Sequence, residues 1–294
     1  MTDVKALDAS LLPDQLGEGG FWDGDAGALY WVDIERQVIH RYNVATTAHH
    51  CWKASKQVSF AYPHDGHLML CLANGVHRFD PQTAIETPVA VLNLPSDHRL
   101  NDGKLDPFGR LWVGTINTSE DPAETAALYV LRGDVLEEVE SGYVNANGKA
   151  WSPDGRVMYH ADTDRGTIWQ YDYDGETGTA SGKRVLVKFQ EGSPDGLCTD
   201  EDGNIIAAMY GGGCLKVFSF RGDEKAQIDL PVSNPTSCVL VGSNLYITTA
   251  YDGLTEDERK QEPHAGRLFV TRYSPPNDGK SGAAFLLQPA NRHC

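Results

Sequence analysis

The chain has 294 residues, 41 of them acidic and 25 basic, which gives a formal net charge of −16 and a pI near 4.9. That balance opposes binding to nucleic acid or to an anionic membrane surface and favours cations. No charged amino-terminal segment leads into an apolar run, and no stretch reaches the roughly 20 apolar residues of a membrane span, so a soluble, cytoplasmic protein is expected.

Residues 1 to 15 stand outside the pattern that fills the rest of the chain. A strand there is expected to complete the blade formed by the other terminus, because a ring without such an overlap leaves open edges. From that point a turn followed by a small apolar strand recurs six times: GALYWVD at Gly27 to Asp33, DGHLMLCL at Asp65 to Leu72, FGRLWVGT at Phe108 to Thr115, DGRVMYHA at Asp154 to Ala161, DGNIIAAM at Asp202 to Met209 and GSNLYITT at Gly242 to Thr249. Aligned on Leu29, Leu68, Leu111, Val157, Ile205 and Leu245, the copies return at intervals of about 40 to 48 residues, the period of propeller blades. One blade alone leaves its apolar faces uncovered, so several must stack around an axis. The expected fold is therefore all-β, a six-bladed β-propeller with a metal site in its central channel. One propeller domain is expected over residues 1–294, with the tail after about residue 274, which begins Ser-Pro-Pro-Asn-Asp-Gly, partly disordered.

Between the copies, NGVHRFDPQT and GTIWQYDYDGETG alternate as further strands of their blades, and Gly and Pro interrupt every candidate for a substantial helix. Two longer connections, Ile116 to Ala126 and Tyr251 to Gly266, follow apolar strands. Each is expected either to cover a substrate at the channel rim or to be a solvated loop or helical turn. The six cysteines, at 51, 71, 198, 214, 238 and 294, form neither CxxC pairs nor a dense disulfide pattern, so reduced thiols are expected.

Position within the repeat carries the functional argument. Ten or eleven residues before the alignment points lie Glu18, Asn101, Asn147 and Asp195 in blades one, three, four and five; blades two and six place Val58 with Ser59 and Asn234 with Pro235 there. If that position begins the innermost strand, two carboxylates and two amides converge on one mouth of the channel. Hard oxygen donors without His or Cys suit a divalent cation of the calcium, magnesium or manganese type. The tripeptides Asn101-Asp102-Gly103 and Pro194-Asp195-Gly196 and the pair Asn147-Gly148 are also turn signals, but each blade already has a tight turn before its apolar strand. Arg99 would point the same way as Asn101 and hold a hydroxyl or ring oxygen, or else form a rim salt bridge. Asp162 would accept a hydrogen bond from the site or satisfy neighbouring backbone. No HExxH, GxSxG, phosphate loop or GxGxxG is present, which leaves zinc-protease, serine-nucleophile and nucleotide chemistries unsupported.

Together LGEGGFWD, RLNDGKLDPFGRLWVGT, NANGKAWSPDGRVMYHADT, SPDGLCTDEDGNIIAAMYGGG and LPVSNPTSC resemble, in order and across nearly the whole chain, the SMP-30/gluconolactonase/regucalcin-like family. The resemblance implies a six-bladed propeller that hydrolyses sugar lactones with one divalent metal. Its ligands would be Glu18, Asn147 and Asp195, with Arg99 and Asn101 on the substrate's oxygens. Glu120, on the shortened loop NTSEDPAET, is the candidate for the acidic residue that reaches substrate in some relatives. The cation would be Ca, Zn, Mn, Mg or Fe(II). Asp195 would act as the base through its non-ligating oxygen, or a metal hydroxide would be the nucleophile. The expected activity is conversion of an aldonolactone to the aldonic acid in carbohydrate catabolism, by a monomer or weak homodimer. A calcium-dependent esterase or paraoxonase-like lactonase, and a non-catalytic calcium-binding regulatory propeller, are the alternatives.

Overall fold

Each repeat becomes one antiparallel four-stranded sheet, and six such sheets hold the strands among the described residues, 4–7 and 12–276, of this computed structural model. The end of the tail expected to be disordered, from residue 277, lies outside the described residues. Strand β1 (Lys5–Ala6) precedes the blades. Blade one contains β2 to β5 (Gly17–Asp23, Ala28–Asp33, Val38–Asn43, His49–Lys53), and blade two β6 to β9 (Val58–His64, His67–Leu72, Gly75–Phe79, Glu86–Val91). Blade three contains β10 to β13 (His98–Leu105, Leu111–Asn117, Ala126–Arg132, Val135–Tyr143), and blade four β14 to β17 (Ala146–Trp151, Val157–Asp162, Thr167–Asp174, Thr179–Lys188). Blade five contains β18 to β21 (Ser193–Thr199, Ile205–Tyr210, Cys214–Phe218, Glu224–Asp229). Blade six has β22 and β23 (Pro235–Val241, Asn244–Thr249), then helix α1 (Glu256–Gln261), then β24 (Phe269–Arg272), and it takes β1 as its outermost strand.

That last pairing closes the ring. Lys5 faces Val270 and Ala6 faces Phe269, so the amino terminus completes the blade begun by the far end of the chain, as the open-edge argument requires. The six aligned apolar residues all fall on the second strand of a blade. The first strands adjoin one another around the channel, and the fourth lie outermost. Burial follows this radial order: β3 and β14 are buried at every residue, whereas β17 is exposed or half-buried throughout. A strand covered on both faces reads as a continuous apolar run, and that run is the repeat signal in the sequence.

The core is divided into six apolar clusters, one at each blade boundary. Blades one and two share Tyr30, Ile39, Leu70 and Phe79, and blades six and one close the circle through Leu29, Trp31, Tyr246 and Leu268. Four cysteines, Cys71, Cys198, Cys214 and Cys238, are buried as free thiols in these layers, and Cys51 is exposed. No helix among the described residues is long and apolar enough to cross a membrane.

Candidate active site

Every inner strand is interrupted at the same height. Regular pairing with the second strand breaks between Glu18 and Phe21, Val58 and Phe60, Leu100 and Gly103, Ala146 and Lys149, Pro194 and Leu197, and Pro235 and Ser237. A bulge leaves residues unpaired and re-aims them, here at or beside Glu18, Ser59, Asn101, Asn147, Asp195 and Thr236. These six side chains are buried. The glycines that follow are not turn glycines, as the tripeptides suggested. Gly155 and Gly203, in the tight turns before second strands, have φ of +67° and +80°, whereas Gly148 and Gly196 have no positive φ. A Cβ on Gly148 would fall 2.1 Å from the Asp195 carbonyl oxygen, and one on Gly196 would fall 2.6 Å from Ser237 Oγ. Their role is to let neighbouring inner strands approach.

Hydrogen bonds give the two amides different chemistry. Arg99 Nη1 donates to Asn101 Oδ1 at 2.8 Å and to the Leu100 carbonyl at 3.1 Å, and Asn101 Nδ2 donates to Asn145 Oδ1 at 2.7 Å. Both ends of the Asn101 amide are therefore engaged. Asn147 Nδ2 donates to Thr163 Oγ1 at 3.0 Å, and that hydroxyl donates onward to the Pro194 carbonyl at 2.8 Å. Since the threonine proton is committed, Asn147 must present its nitrogen to it and turn its oxygen away. Asn147 Oδ1 and Asp195 Oδ1 are both buried and find no hydrogen-bond partner among the described residues.

The two carboxylates are pressed together in this setting. Burial foremost, and then the charge of Asp102, push the Glu18 carboxyl up to about 8, against the pull of Arg99 and Lys149. Asp195 is held well above the usual carboxylate range by burial, then by Glu18 and Asp102. Arg99 is lowered by burial, and the charges of Glu35, Glu18 and Asp252 oppose that. Two buried carboxyls that cannot both ionise alone, beside an unpartnered amide oxygen, suit a hard divalent cation. Among the described residues no group of three or more His, Cys, Asp and Glu side chains is arranged to hold a metal.

One layer along the strands lies a feature that sequence position did not disclose. Lys149 on β14 is fully buried, donates to the carbonyls of Asp102 and Asn147 at 2.6 Å each, and stands 3.5 Å from Asp102 Oδ2. Lys104 on β10 reaches past blade four to donate to the Leu197 carbonyl of β18 at 2.7 Å. The only available signal was a lysine soon after a bulge asparagine in blades three and four.

The other candidates separate. Arg99 is buried, and no ion pair joins it to another of the described residues; its side chain donates to Leu100 and Asn101 instead. Asp162 serves its own turn, accepting from the Arg165 N–H at 3.4 Å with the Arg165 guanidinium 3.5 Å away. Glu120 is exposed on the connection between β11 and β12, and no described hydrogen bond or ion pair joins it to the buried set. That connection is tied to blade four by Glu124 and Arg165, 2.5 Å apart. The connection after β23 carries α1, capped by Thr255. It also places Asp252 at the mouth, where the Asp252 carbonyl accepts from Tyr210 and Asn234 and its carboxylate accepts from Gln15 Nε2 at 3.0 Å.

The family described as SMP-30/Gluconolactonase/LRE-like region matches residues 16–251. The pentonolactonase XacC of Haloferax volcanii is 34% identical over 92% of this chain and 94% of that protein, and the regucalcin of Danio rerio 32% identical over 92% and 94%. Among solved structures, a calcium-binding protein, regucalcin, from Agrobacterium tumefaciens superposes with a TM-score of 0.85 at 25% identity, covering 90% of this chain and 92% of that one.

Proposed function

The chain belongs to the SMP-30/gluconolactonase/LRE-like family, and from that premise we propose that it is a lactonase that hydrolyses a sugar lactone to the aldonic acid with the help of one divalent cation. The observation that carries the reading is the pair of buried, unpartnered oxygens, Asn147 Oδ1 and Asp195 Oδ1, beside the Glu18 carboxyl. Glu18, Asn147 and Asp195 would hold the cation. Asn101 is set apart from them because Arg99 already occupies its oxygen. A regucalcin relative described as calcium-binding supports calcium among the candidates Ca, Zn, Mn, Mg and Fe(II). When bound, such a cation supplies Lewis acidity toward the carbonyl oxygen of a lactone.

The protein's own groups supply the remainder. Water adds to the carbonyl carbon while the Asp195 carboxylate accepts its proton. The ring C–O bond then breaks, and the proton passes to the departing ring oxygen, which leaves as a hydroxyl. Arg99 keeps N–H groups beyond those given to Asn101 and Leu100, and these are donors for a hydroxyl or ring oxygen of the substrate. Glu120 lies on a connection that could bring it over a bound sugar. The negative field of the chain favours departure of the acid product. Asp195→Ala and Asn147→Ala should each abolish turnover of a sugar lactone together with stoichiometric cation binding. A variant that lost the cation but kept its turnover would overturn the reading.

A further inference from the structure

A lysine without solvent exposure normally needs an explanation, because moving an ammonium out of water costs several kcal/mol unless oxygens replace its hydration. At Lys149 they do. Two carbonyl oxygens lie at 2.6 Å, from Asp102 on blade three and Asn147 on blade four, and the Asp102 carboxylate closes the set at 3.5 Å. Both carbonyls belong to bulge residues, which regular pairing leaves out. This is an oxygen cradle of the kind that binds a free cation, except that the cation is tethered to the chain. We propose that the Lys149 ammonium is a built-in structural cation, standing in a second cation position of the channel next to the one formed by Glu18, Asn147 and Asp195.

Two further features fit. Beside it His160 donates through Nδ1–H to the Gly148 carbonyl, 3.2 Å away, which satisfies the other bulge carbonyl of blade four. Lys104 spans from blade three to blade five nearby, so a second cationic side chain ties these inner strands together. The consequence is a channel that needs only one exchangeable cation, with its adjacent position permanently filled.

The test is chemical rescue, and because its readout is thermal it stands apart from the lactonase reading. Lys149→Ala removes the side chain beyond Cβ and leaves the three oxygens, and n-propylammonium restores the deleted atoms. The thermal midpoint of Lys149→Ala is expected to fall, and to recover saturably by at least about 5 °C with n-propylammonium. Potassium should recover part of that shift, and tetramethylammonium, too large for the cradle, none. If the variant does not fold unaided, the yield of folded protein on refolding with n-propylammonium is the readout, and no gain in yield overturns the proposal. Lys149→Met fills the stem's space without a charge, so it should be destabilised and indifferent to all three cations. A Lys149→Met protein as stable as the wild type would show that the cradle needs no cation, and equal rescue of Lys149→Ala by tetramethylammonium would show that the effect is not specific; either result overturns the proposal.

Discussion

Gly148→Ala tests whether the close approach of inner strands builds the site. The added Cβ would lie 2.1 Å from the Asp195 carbonyl oxygen, 2.7 Å from the Leu197 nitrogen and 2.8 Å from Leu197 Cγ. Two of these are backbone atoms that no rotamer change can move, so blade four must shift from blade five by about 1 Å. Overpacking of this kind costs about 1–3 kcal/mol, and for a chain of this size each kcal/mol lowers the midpoint by roughly 2–4 °C, a fall of roughly 2–12 °C in all. Because the clash falls on the backbone of Asp195 itself, cation affinity should drop as well, by roughly 10- to 100-fold. Gly20→Ala is the control, since its Cβ would meet Val239 Cγ1 at 3.5 Å, an ordinary contact. Differential scanning fluorimetry and calorimetric titration of calcium would follow both variants. A Gly148→Ala protein with wild-type midpoint and affinity would refute the idea that this contact positions the site.

Further expectations follow from the same geometry. Arg99→Ala should impair kcat/KM on a sugar lactone while cation affinity stays within a few-fold, and loss of the cation from that variant would contradict the separation of Arg99 from the ligand set. A carboxyl whose pKa is raised by folding stabilises the fold fully below its unfolded value and loses that contribution as pH rises through the folded one. For Glu18 the window runs from 4.5 to about 8, and Asp195 is shifted in the same direction. The cation-free protein should therefore lose thermal stability across that window while cation affinity rises, with protons released on binding; a midpoint that rises with pH there would contradict the paired carboxylates. A five- or six-carbon sugar lactone should exceed δ-valerolactone in kcat/KM by roughly 10⁴-fold, because buried donors and acceptors go unsatisfied without the hydroxyls, and comparable values would favour an esterase on apolar substrates.

The repeat made the ring legible in the sequence, since a second strand buried on both faces must read as an apolar run and a tight turn must precede it. The common position of Glu18, Asn101, Asn147 and Asp195 at the bulges of inner strands followed from equal phase. Its cause did not, because a bulge is a relation between two strands and leaves no mark in one of them. For the same reason Gly148 and Gly196 looked like turn residues, although what constrains them is a neighbouring blade some 48 and 41 residues away in sequence. Lys149 was invisible because its partners are backbone carbonyls, which every residue type carries. Equal phase alone does not tell the Asn101 amide from the Asn147 amide; the family resemblance separated them, and in the structure Arg99 on one side and Thr163 on the other make the difference.

The most direct test is a pH-indicator assay of sugar-lactone hydrolysis on wild-type protein stripped by chelator and then titrated with a divalent cation. Gluconolactone, xylonolactone, arabinonolactone and galactonolactone would each be offered. Turnover of at least one of them should be absent from the stripped protein and saturate at one equivalent of cation per chain. Full turnover by the cation-free protein, or none of these lactones hydrolysed at any loading, would contradict the account.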